Sequence, residues 1–108
     1  MSTIRLSETE RKKPLSYDPS AKKFLYLTDI QRGRVFPPQG LDEESKQALT
    51  LKRLEIEEPF SIEALGAMDK EQQVDEVRKG TEKGGEIVRA EIEYLVETIE
   101  GIKRGEII

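Results

Sequence analysis

The run Gly84-Gly-Glu-Ile-Val-Arg-Ala-Glu-Ile-Glu-Tyr-Leu-Val-Glu-Thr-Ile-Glu-Gly-Ile-Lys103 decides the fold. Val88, Ile92, Leu95, Ile99 and Ile102 recur at steps of 4, 3, 4 and 3, the spacing that lines apolar side chains along one face of a helix. Ile87, Tyr94 and Val96 widen the stripe toward a second face, so this helix needs more than one neighbour. A 4-3 seam also builds coiled coils, although this one covers only about two heptads. Two readings therefore stand. The seam is core for the chain's own domain, or it is an interface through Val88, Ile92, Leu95, Ile99 and Ile102 that docks a partner or a second copy.

Working back from this helix, Asp69 with Gln72 resembles a capping box, Val74 and Val77 share one face, and Gly80 suits a helix stop. Gly80-Thr-Glu-Lys-Gly-Gly85 reads as a helix-to-helix connector that uses positive φ. It lacks the GxxxxGK[ST] spacing of a phosphate loop, and Glu82 and Glu86 would repel an anion. Ile62, Leu65 and Met68 mark a brief helical turn over Ile62 to Ala67. Asp42 can cap a helix running to about Leu51, with Glu43 and Glu44 well placed against the dipole of its first turn. Leu54-Glu-Ile-Glu57 alternates, and is either more helix or a short strand stopped at Pro59.

Upstream, Lys22-Lys-Phe-Leu-Tyr-Leu-Thr28 is β-prone, and Gln31-Arg-Gly-Arg-Val-Phe36 follows before Pro37-Pro38. This predicts a hairpin turning near Asp29 to Gly33. Before it, Pro14, Pro19 and scattered serines and threonines show no helical or strand period, as a flexible arm would. The fold class expected is α+β and mainly helical. A basic arm occupies residues 1–21, and one small domain occupies residues 22–108. Within it lie a hairpin at 22–38, a helix or strand at 42–58 and a helical region at 61–104.

Composition narrows the function. Among 108 residues the apolar fraction is 35%, low for a globular chain, and charged residues reach 37% against about 25% in ordinary usage. The core is thin, which favours apolar help from a partner. There is no cysteine and no histidine, which removes disulfides, thiolate sites, imidazole ligands and the commonest general base. No enzyme activity, no cofactor and no metal is expected. No apolar leader and no apolar run long enough to span a bilayer occurs, so a cytoplasmic chain without membrane contact is expected. Residues 1–40 carry eight Lys/Arg against four Asp/Glu, whereas residues 41–108 carry ten against eighteen. The chain is an electrical dipole along its sequence, and its basic end is suited to an acidic surface of a partner or a second copy.

Two motif readings remain. Glu91/Glu93 and Glu97/Glu100 invite an acid–base pair, but residues two apart on a helix, as in the first pair, do not face each other, and solvated charge flanking the seam is the reading adopted for both. Lys22, Lys23, Phe24, Tyr26, Arg32, Arg34 and Phe36 interleave cations with aromatics, as a nucleic-acid contact would, by phosphate neutralisation and base stacking. That is the alternative to a protein partner or homo-oligomer. The order of hairpin, Pro37-Pro38 and acidic helices also resembles small phage-type virion or assembly proteins, without a shared motif, which implies a structural role.

Overall fold

A computed structural model describes residues 3–56 and 70–108. In chain order they form α1 (Glu8–Lys12), β1 (Ser16–Asp18), β2 (Lys23–Leu25), α2 (Leu27–Gln31), a 3-10 turn (Pro38–Gly40), α3 (Glu43–Ile56), α4 (Lys70–Lys79) and α5 (Glu82–Lys103). The fold is α+β and mainly helical, with a two-stranded antiparallel hairpin.

Helix α5 organises the rest. Thr81 caps it, its hydroxyl accepting the Gly84 N–H at 3.1 Å, which satisfies one of the orphan amides of a helix start. At the far end Gly105 turns left-handed (φ 75), and the Glu106 and Gly105 amides donate to the Gly101 and Ile102 carbonyls, a Schellman ending. The chain then doubles back, and Ile107 pairs in parallel with Ile4. The same device ends α4: Gly80 has φ 66, and the Thr81 and Gly80 amides reach the Glu76 and Val77 carbonyls. Helices α4 and α5 thus form a tight helical hairpin, against which α3 packs.

Leu95 and Ile99 of α5 join Leu15, Leu25, Leu27, Ile30, Leu41 and Leu49 in the main core. A smaller cluster of Leu54, Val77 and Ile87 lies under α3, α4 and α5, and Val88 packs against both clusters.

Three expectations are corrected or decided. The hairpin does not occupy 22–38: Ser16 pairs with Leu25, Tyr17 with Phe24 and Asp18 with Lys23. Its turn is stabilised by the Asp18 carboxylate accepting the Ser20 and Ala21 amides, with Lys22 in the left-handed region (φ 54). The run expected as a turn and second strand begins instead with α2, because the Asp29 carboxylate accepts the Tyr26 amide at 2.9 Å and starts a helix there. Next, the arm read at 1–21 holds α1, capped by Ser7, and a stretch from Lys13 to Ser16 that is buried. Leu15 anchors it in the core. Finally, Leu54 to Ile56 continue α3 as helix, which places Leu54 in the second cluster with Val77 and Ile87. Asp42 starts that helix, its carboxylate accepting the Ser45 amide at 2.7 Å. The turn read at Ile62 to Ala67, the cap at Asp69 and the end of the 42–58 segment lie outside the described residues.

Candidate functional site

The expected interface seam is largely spent on the chain itself. Ile92, Leu95, Ile99 and Ile102 are buried in the main core, and Val88 is half-buried between the two clusters. Of the two readings of the 4-3 spacing, the intramolecular one describes these four residues. An Ile92→Asp/Ile99→Asp variant is therefore expected to lose its helical circular dichroism at every protein concentration. Two unpaired carboxylates in a core cost several kcal/mol, comparable with a small domain's whole stability of roughly 5–15 kcal/mol. A folded monomer in its place would show that the seam is not core.

Among the described residues Arg53 is the largest fully buried side chain, 1% exposed. Its Nε donates to Glu91 at 2.7 Å, one terminal nitrogen to the Pro14 carbonyl at 2.9 Å and the other to Glu10 at 3.0 Å. Lys13 donates to Glu10 at 2.8 Å, and the Tyr94 ring lies 5.5 Å from the guanidinium carbon. Burial pushes the Glu10 carboxyl up, but the Lys13 hydrogen bond and the Arg53 charge outweigh it and hold it below the ordinary value. Burial likewise opposes the charge on Arg53, and Glu91 and Glu10 more than restore it. Tyr94 is pushed up, by burial first and by the Glu10 charge second. This cluster clamps α1 and the segment before β1 onto α3 and α5. Its carboxylates are committed to cations, so the arrangement is that of a structural clamp. Glu91 thus leaves the solvated set assigned to it, while Glu93, Glu97 and Glu100 are exposed.

The basic and aromatic residues divide. Lys22, Lys23, Arg32 and Arg34 are exposed, whereas Phe24, Tyr26 and Phe36 are half-buried. Phe24 and Phe36 pack on the main core, and Phe24 also meets Tyr17 with ring centroids 5.1 Å apart. Lys23 and Arg34 line a groove of about 450 Å³ between β2 and residues 33–36, together with Asp18 and Asp29. The aromatic faces needed for base stacking are turned largely inward.

A second groove was not read from the sequence. It runs between the start of α3 and the first half of α5, as two adjoining hollows of about 310 and 240 Å³ that share Glu43, Gly85 and Val88. Half-buried Val88 gives its floor apolar surface, beside Val77 and Ile92, which are buried in the cores; Glu43, Glu44 and Glu93 stand along it with Lys46 and Arg89. Gln47 Nε2 fixes the wall by donating to the Val77 and Arg78 carbonyls. Its two glycines differ. A Cβ on Gly84 would lie 2.6 Å from the Glu76 carbonyl carbon and 2.9 Å from the Val77 amide nitrogen, so Gly84 is glycine because α4 and α5 touch there. A Cβ on Gly85 would meet nothing within 4 Å. Neither has the positive φ expected of a connector; both are helical, and only Gly80 turns left-handed here.

No protein-family model, curated protein or solved structure matches this chain. What the groove can do is thus read from its own chemistry. An open apolar floor with carboxylates along it holds an apolar side chain and attracts cations beside it. Among the described residues, no group of three or more potential metal ligands comes together, and no helix is long and apolar enough to cross a membrane.

Proposed function

We propose that this chain is a non-enzymatic protein-interaction module that docks a basic, apolar-anchored segment of its partner in the groove between α3 and the first half of α5. The role remains with the C-terminal amphipathic helix, but moves from the buried seam to the side of the helix that Gly85 and Val88 share. Gly85 carries the reading. A glycine within a helix costs roughly 0.5–1 kcal/mol relative to alanine, and here neither backbone geometry nor a neighbouring atom requires it. Its use is to leave room for something that approaches α5 closely. Glu43, Glu44 and Glu93 outnumber Lys46 and Arg89 along the same groove, which selects a cationic occupant.

The test is a titration of a fluorescent lysine–leucine amphipathic peptide of about five helical turns, followed by anisotropy. Saturable binding that weakens with added salt is expected. Gly85→Trp, which fills the groove without meeting another atom at its Cβ, is expected to weaken binding by about tenfold or more, equivalent to ~1.4 kcal/mol. Glu97→Lys/Glu100→Lys reverses charge at exposed positions of the same helix outside the groove and is expected to retain most of the binding. Absence of saturable binding, or equal binding by Gly85→Trp, would overturn the reading.

A further inference from the structure

We infer that the occupant of this groove is the hairpin end of a second copy of the chain, so that copies associate head to tail; this rests on the reading of the α3–α5 groove as the docking site. Charge makes the first argument. Residues 1–40 have an excess of four positive charges and residues 41–108 an excess of eight negative ones. Lys22, Lys23, Arg32 and Arg34 are all exposed, and none of them makes an ion pair among the described residues. Asp18 and Asp29 line the same hollow, Asp18 accepting the Ser20 and Ala21 amides and Asp29 the Tyr26 amide, and the four cations outnumber these two carboxylates. Glu44 and Glu93 on the acidic groove likewise make no ion pair among the described residues.

Partial apolar exposure is the second argument. Val35 and Phe36 are half-buried beside Lys23 and Arg34, whereas Leu25 is buried in the core. The hairpin end thus sets some apolar surface next to its cations. The two surfaces share no residue, so one copy presents both at once. Such a heterologous contact repeats from copy to copy, closing a ring or extending a chain according to the rotation it imposes.

Light scattering after size-exclusion chromatography tests this on the full chain across protein concentration and salt. At low salt the mass is expected to rise above the 12.3 kDa monomer with concentration, and to fall back to it as salt screens the rims. Glu43→Lys/Glu44→Lys leaves both surfaces basic, and Lys23→Glu/Arg34→Glu leaves both acidic. Each is expected to stay monomeric alone, and an equimolar mixture is expected to associate, because each variant supplies what the other lost. All four positions are exposed, and circular dichroism checks that both variants fold. A wild-type chain that stays monomeric, association that both variants retain, or a mixture that stays monomeric would overturn the inference. The lysine–leucine titration reads the groove without self-association, so failure of head-to-tail pairing and failure of the docking site give different results.

Discussion

Gly84→Ala is expected to destabilise the chain by about 3 kcal/mol, whereas Gly85→Ala, one residue further on, is expected to stabilise it by about 0.5–1 kcal/mol. Both glycines lie in the first turns of the same helix, so intrinsic propensity alone favours alanine at each. Surroundings reverse the sign at Gly84. An added methyl there runs into the Glu76 carbonyl and the Val77 amide, and backbone cannot swing aside as a flexible side chain can. Opening α4 from α5 would also loosen Val77 and Ile87, which are 1% and 0% exposed in the smaller cluster. Urea unfolding midpoints at unchanged slope measure both effects. If the two substitutions act alike, the close approach of α4 to α5 is not as described.

Arg53→Ala is expected to cost about 3–5 kcal/mol, the usual penalty for removing one partner of a buried ion pair. The lost hydrogen bonds are the smaller part. Glu91 is left among apolar neighbours without its cation, the Pro14 carbonyl loses its donor, and Glu10 retains only Lys13 of the two cations that hold it. Arg53→Met/Glu91→Leu is expected to lose much less, because it removes the orphaned charge together with its partner and leaves Glu10 paired with Lys13. Acid acts on the same clamp. Glu10 in the folded chain titrates below its ordinary value of 4.5, so its stabilising contribution is complete above that value. It is lost as the pH falls through the lower folded value, where the unfolded chain binds the proton more readily. The wild type is therefore expected to lose stability more steeply than Arg53→Ala below pH 4.5, as read by urea unfolding across that range. Parallel acid limbs would mean that Arg53 does not hold Glu10.

The helices were legible where a local rule governs them. Asp42 caps α3, Gly80 stops α4 and the 4-3 spacing gives α5, each through contacts within a few residues. The same spacing could not say whose core it fills, since Ile92 and Ile99 satisfy an intramolecular and an intermolecular neighbour equally well. The hairpin was placed too late because β1 is a three-residue strand between Pro14 and Pro19, too short to show alternation. The clamp left a signal that went unread. Arg53 stands four residues after Leu49, and Glu91 stands four after Ile87 and four before Leu95, so each is a charge on an apolar stripe. A charge in that position needs a buried partner of opposite sign. The α3–α5 groove had no such signal, because it exists only where Glu43 and Gly85, distant in sequence, are brought together.

In the proposed mode of docking the partner segment sits beside Gly85 and Val88 while the Leu95 to Ile102 seam remains core. Amide chemical-shift mapping of the isotopically labelled chain during addition of the lysine–leucine peptide tests it most directly. Shifts confined to Glu43–Gln47 and Gly84–Glu93, with the amides from Leu95 to Ile102 unchanged, are the predicted result. Shifts that run along Leu95 to Ile102, or that leave Gly85 and its neighbours untouched, would contradict it.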